Sequence, residues 1–114
     1  MDLAVVCHGV SAKLPADERF GLVALVRRAT ASIPANIAEG YGRWNSREFV
    51  RFLAIASGSA RELETHLLLA EKLGYLSAGD VAPVLKALDE VAKMIFGMLS
   101  KTRSKILGGK PSTK

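Results

Sequence analysis

One cysteine in 114 residues cannot close an internal disulfide, and two histidines, His8 and His66, supply no Cys/His cluster of the kind that holds a structural metal. No stretch approaches the ~18 unbroken apolar residues of a membrane span. The chain also lacks the composition of a disordered protein, since 24% of its residues are charged and 49% are apolar. No segment of useful length alternates strictly between apolar and polar positions, which argues against half-buried strands. The glycines at 40, 42, 58, 74 and 79 are too scattered for a phosphate loop. Leu3 to Val10 is apolar enough to suggest a signal peptide, but it is short and follows Asp2 rather than positive charge. The expectation is a cytoplasmic protein with no membrane partner.

What the sequence does hold is enough chain for one domain with its own core. The formal net charge is +5, and the excess is unevenly placed. Lys101, Arg103, Lys105, Lys110 and Lys114 lie after residue 100 with no acidic residue among them, leaving 11 residues of each sign before it. Gly108-Gly109 and Pro111-Ser112-Thr113 read as flexible, so the expected organisation is a bundle domain over 1–107 and a basic tail over 108–114. Such a tail either binds phosphates by counterion release or simply solvates a fraying helix end.

Apolar spacing predicts four helices. The first puts Leu3, Val6, Cys7, Val10 and Leu14 on one face and ends at Pro15, because the residue before proline is pushed out of the helical region. The second opens at Asp17, runs through Leu22, Val26, Ala29, Ile33 and Ile37, and closes at Gly40 and Gly42. Pro34 inside it predicts a kink or a restart with Ser32 as local cap. The third starts near Asn45 or Ser46, with Ser46 as cap, and runs to Gly74, about 43 Å at 1.5 Å per residue. Its main stripe is Phe49, Phe52, Leu53, Ala56, Ala60, Leu63, Leu67 and Ala70. Leu67-Leu68-Leu69-Ala70 is apolar nearly all the way round, which in a short chain points to subunit contacts. The fourth follows Ser77 to Asp80, displays Val84, Leu85, Leu88, Val91, Ala92, Ile95, Met98 and Leu99, and fades after Leu107.

Four such segments with short connections pack most simply as an all-α, antiparallel up-down-up-down bundle. A three-helix core with a loose first segment, or a bundle completed by a neighbouring chain, also satisfies the pattern.

Catalysis needs convergent groups, and few are available. A di-iron bundle wants Glu-x-x-His on two helices, but Thr65 and Leu67 stand where Glu62 and Glu64 would need histidines. Cys7 and His8 diverge by about 100° on a helix, unsuited to a nucleophile and base. No cofactor or metal is expected. Arg61 and His66 form an Arg-x4-His spacing similar to that of the helical HEPN ribonucleases, in which His acts on the 2′-hydroxyl and Arg steadies the phosphate. Two residues at a fixed spacing occur by chance on many helices, and five residues turn the helix by about 140°.

A binding surface has more support. Arg43, Arg47 and Arg51 recur every four residues opposite the Phe49/Leu53/Ala56 stripe, with Tyr41 and Trp44 beside them. Arginines pair with phosphate and aromatics stack on unpaired bases, so this row, with Lys101, Arg103 and Lys105, forms a candidate nucleic-acid surface. A solvated helix face with Glu48 as internal partner is the plainer reading. Arg27, Arg28, Asn36, Glu39, Glu62 and Glu64 read as structural polar groups. At least one Arg–Glu bridge is expected between the second and third helices, with Asn36 bonding backbone near Pro34.

The run Phe20-Gly21-Leu22, Arg27-Arg28-Ala29, Ser32-Ile33-Pro34-Ala35-Asn36-Ile37-Ala38-Glu39-Gly40, Phe49, Phe52-Leu53, Ile55-Ala56, Gly58-Ser59, Glu62-Leu63-Glu64-Thr65 and Leu73-Gly74-Tyr75-Leu76 closely resembles the 23S rRNA-intervening-sequence protein family, over about residues 18 to 100. That family's members are small bacterial cytosolic proteins of largely unassigned role. The resemblance implies an antiparallel four-helix bundle assembled as a ring-like homopentamer. It extends to the accessory variability determinants of diversity-generating retroelements, pentamers that bind nucleic acid and a reverse transcriptase. The first helix here is shorter than the family's usual one and lacks its aromatic and basic start. Arg61 and His66 fall where the family pattern is not fixed. The expected function is therefore a non-enzymatic, oligomeric scaffold binding RNA, another nucleic acid or a protein. A metal-independent ribonuclease and a purely protein-binding adaptor are the alternatives.

Overall fold

Pro15 sets the first boundary. In the computed structural model, which describes residues 2–43 and 45–108, α1 covers Asp2–Ser11 and then tightens into a turn. Lys13 N–H donates to the Val10 carbonyl at 3.0 Å and Leu14 N–H to that of Ser11 at 3.2 Å. Leu3, Cys7, Val10 and Leu14 are buried, so the predicted stripe holds although the helix stops three residues early.

Asp17 does not open the second helix. It lies in a 3-10 turn, Ala16–Glu18, followed by a wider π turn, Arg19–Val23, that leads directly into α2, Ala24–Tyr41. The wider turn shifts the helical phase, and the adjacent Leu22 and Val23 are both buried. Pro34 causes no restart, because α2 is continuous through it. Asn36 Nδ2 donates to the Ser32 carbonyl at 2.8 Å and to Ser32 Oγ at 3.0 Å, as expected of a polar group beside the proline. Gly42 ends the helix. Gly40 is not a stop: it is buried within α2, where an added Cβ would meet Phe49 Cδ1 at 3.0 Å and Phe52 Cβ at 3.2 Å.

The cap of α3, Ser46–Lys72, is Asn45 rather than Ser46. Asn45 Oδ1 accepts from the N–H groups of Arg47 at 2.8 Å and Glu48 at 3.3 Å, because its extended backbone turns the side chain toward those free amides. At the other end, Gly74 takes φ +81°. Tyr75 N–H then reaches the Ala70 carbonyl and Gly74 N–H that of Glu71, each at 3.0 Å, the paired bonds of a Schellman stop. A reciprocal box starts α4, Ala78–Gly108, with Asp80 N–H donating to Ser77 Oγ at 3.1 Å and Ser77 N–H to Asp80 Oδ2 at 2.9 Å.

Each helix packs on its chain neighbours, and α1 also packs on α4, giving a four-helix bundle of 55 × 23 × 20 Å. Among the described residues there is no strand, and no helix is long and apolar enough to cross a membrane. The core runs through Val26, Ile33, Leu53, Ala56, Leu63, Leu67, Val84 and Ile95, with Leu3 and Cys7 from α1 inside it. The first segment is thus part of the core, and one chain supplies all four helices.

Lys13 Nζ donates to Asp80 Oδ1 at 2.8 Å and ties the end of α1 to the start of α4. With the Ser77 bonds, this lysine holds the Asp80 carboxyl down at about 2. Ten residues of α1 rise about 15 Å and 31 of α4 about 46 Å, so α1 flanks only part of α4. The start of α3, the end of α2 and the end of α4 consequently meet beyond it.

Candidate nucleic-acid interface

The basic residues after residue 100 that can be placed ride on the last turns of α4, where Lys101, Arg103 and Lys105 are exposed. Lys110 and Lys114 lie outside the described residues, as does Trp44. Arg47, two residues into α3, is also exposed. Arg47 and Val50 of α3 line one cavity of about 340 Å³ with Arg103, Ile106 and Leu107 of α4. Residues 56 positions apart in sequence therefore share a site.

Helical geometry divides the α4 cations. Lys101 and Lys105 follow Met98 by three and seven residues and share its side of the helix, whereas Arg103 is rotated by about 200° from each. Met98 Sδ accepts from Tyr41 Oη at 3.3 Å, so the lysines flank the α2 side of this end and Arg103 the α3 side.

Arg43 is not part of a row on the third helix: it stands in the connection between α2 and α3. Its Nη2 donates to Glu39 Oε2 at 2.6 Å, and its guanidinium carbon lies 5.0 Å from the centre of the Phe52 ring. Arg51 bonds Glu48 Oε1 at 3.2 Å and lies 4.7 Å from the same ring. Phe52, expected only as a member of the apolar stripe, is also a platform for two guanidinium groups. Single-residue periodicity carries no signal for that, because Arg43 reaches it across a helix boundary. Tyr41 is exposed, with its ring tilted 47° and 5.1 Å from that of Phe49. Among the described residues, no carboxylate pairs with Arg47 or Arg103.

Among the described residues, no Arg–Glu bridge joins α2 to α3, contrary to the expectation. Arg27, Arg28, Glu62 and Glu64 are all exposed, so desolvation does not force them together. Arg27 Nε instead donates to Ser11 Oγ on α1 at 3.1 Å. A polar link from α2 to α3 is formed instead by Ser32 Oγ and Ser59 Oγ, 2.7 Å apart. Glu39 serves Arg43.

Arg61 and His66 do not converge on a pocket. Arg61 lines a groove of about 430 Å³ between α3 and α4, where Ala60, Leu85, Leu88, Ala92 and the 70% exposed Phe96 form the apolar part and Glu64, Asp89 and Lys93 the polar part. His66 is not among its lining residues; its Nε2 is buried without a hydrogen-bond partner. Cys7 is buried and His8 exposed, and burial pushes the Cys7 thiol up despite an opposing bond with Thr30.

The model of the 23S rRNA-intervening sequence protein family matches residues 1–97, and the chain belongs to that family. A search of curated proteins gives no match.

Proposed function

We propose, with membership of the 23S rRNA-intervening sequence protein family as the premise, that this protein is a non-enzymatic, cytoplasmic scaffold that binds RNA. The observation behind this reading is that one end of the bundle carries Arg43 from a connection, Arg47 and Arg51 from α3 and Arg103 from α4, with Lys101 and Lys105 on the other side of the last turns of α4. Cations gathered at one end of a bundle bind phosphates by releasing counterions. In this reading the helices run antiparallel, up-down-up-down, and the chains assemble as a ring-like homopentamer. The exposed Leu68, Leu69 and Phe96, large apolar groups on α3 and α4, support burial between subunits.

A native-gel titration against a labelled structured RNA at two salt concentrations, with a denaturing lane from each sample, tests the binding. A shift that weakens steeply with salt while the RNA stays intact is the expected result. No shift at micromolar protein would favour a protein-binding adaptor. Cut RNA would restore the ribonuclease reading on Arg61 and His66, with His66→Ala as its control. Light scattering over a range of concentrations tests assembly, and a monomer throughout would exclude the ring.

A further inference from the structure

We infer that the cleft between the start of α3 and the end of α4 takes one unpaired nucleotide of a single-stranded nucleic acid, an inference that rests on the RNA-binding reading above. Three features of the cleft lead there. Its lining combines two guanidinium groups, from Arg47 and Arg103, with an apolar floor of Val50, Ile106 and Leu107, and it includes no acidic side chain. The other two arginines of this end pair with Glu39 and Glu48 and lie over Phe52, so the guanidinium groups of this end with no carboxylate partner among the described residues are the two that line the cleft, Arg47 and Arg103. Leu107 is 84% exposed, a large apolar side chain held in water beside Lys105 and Ile106 on the last turn of α4.

Size and chemistry then select the occupant. A volume of about 340 Å³ is at the small end of the roughly 300–1,000 Å³ of ordinary ligand pockets, enough for a single base and its phosphate. A duplex presents its phosphates outward and keeps its bases stacked inside, so it would use the guanidiniums and leave the apolar floor in water. An unpaired nucleotide uses both parts, with the phosphodiester on the two arginines and the apolar face of the base buried against Val50, Ile106 and Leu107. The floor is aliphatic and carries no hydrogen-bonding side chain, so the floor itself reads no base identity. Lys101 and Lys105, on the other side of α4, extend the path of the backbone but do not enter the cleft.

The test measures fluorescence anisotropy of the full chain with a labelled 12-nucleotide single-stranded RNA, the DNA of the same sequence, and a blunt hairpin duplex. The single strands should bind several-fold more tightly than the duplex, through burial of the base face on the aliphatic floor. Leu107→Ser, at a site exposed enough to leave the fold intact, should remove most of that preference and leave duplex affinity unchanged. Arg47→Gln with Arg103→Gln should weaken all three ligands and reduce their salt dependence. Equal affinity for single strands and duplex, with no effect of Leu107→Ser, overturns the cleft while leaving RNA binding standing. Absence of binding to all three overturns both. If polyglutamate displaces the RNA as well as unlabelled single strand does, the cleft recognises acidic peptide instead.

Discussion

Gly40 and Phe49 touch where α2 and α3 cross: a Cβ built on Gly40 would lie 3.0 Å from Phe49 Cδ1 and 3.2 Å from Phe52 Cβ. The glycine lets the two helices close to this distance beneath the ring on which Arg43 and Arg51 lie. Helix packing and the arrangement of the basic end therefore depend on the same small residue.

Gly40→Ala should destabilise the protein by up to about 2 kcal/mol net, an overpacking cost of about 1–3 kcal/mol set against a gain of about 1 kcal/mol in helix propensity. Gly58→Ala, with nothing within 4 Å of its new Cβ, should stabilise by about 0.5–1 kcal/mol. Urea unfolding of the two variants checks the contrast, and a gain in stability for Gly40→Ala would show that Phe49 moves aside freely.

Ser32 and Ser59 share one hydrogen bond across the α2–α3 interface. Each Ser→Ala variant should cost about 1 kcal/mol, and the double variant should cost clearly less than the sum, as expected of groups that serve each other. A double-mutant cycle in urea measures this coupling; strict additivity would mean the contact contributes nothing.

Asp80 titrates at about 2 in the folded chain, below the 3.8 of a free aspartate, because Lys13 and Ser77 bond its charged form. A depressed folded value makes its contribution complete above about pH 4 and lost as pH falls toward 2. Thermal melts between pH 2 and 7 should show Asp80→Asn below the parent at neutral pH, with the gap closing in that acid window. A constant gap would place the effect in packing instead.

Leu63 is fully buried, and Leu63→Ala should cost about 2–5 kcal/mol by transfer and cavity terms. Phe96→Ala, at a 70% exposed site, should alter the stability of a lone chain by no more than about 0.5 kcal/mol. If Phe96 lies between subunits, the same change should lower the oligomer mass in light scattering; an unchanged mass would place the seam elsewhere.

Cys7 is buried and its thiol is pushed up by that burial. Reaction with a thiol reagent at pH 8 should be slow in the native protein and rapid after unfolding in urea. Fast native labelling would mean that α1 opens locally.

Periodicity alone determined that this protein is helical, where most of its four helices run, and which residues enter the core, because burial of an apolar stripe is a local pattern repeated every three or four residues. Gly74 could be recognised as a helix stop for the same reason: its left-handed backbone suits glycine and closes a local turn. Asn45 rather than Ser46 as cap, and the turns before α2, depended on backbone angles and helical phase that residue spacing does not specify. Exposure in the bundle dissolved the expected Arg–Glu bridge, since solvated charges have little need of a particular partner. The cleft was decided by tertiary structure alone. Arg47 and Arg103 are neighbours only because α3 begins where α4 ends, and a contact across 56 residues depends on the packing of whole helices.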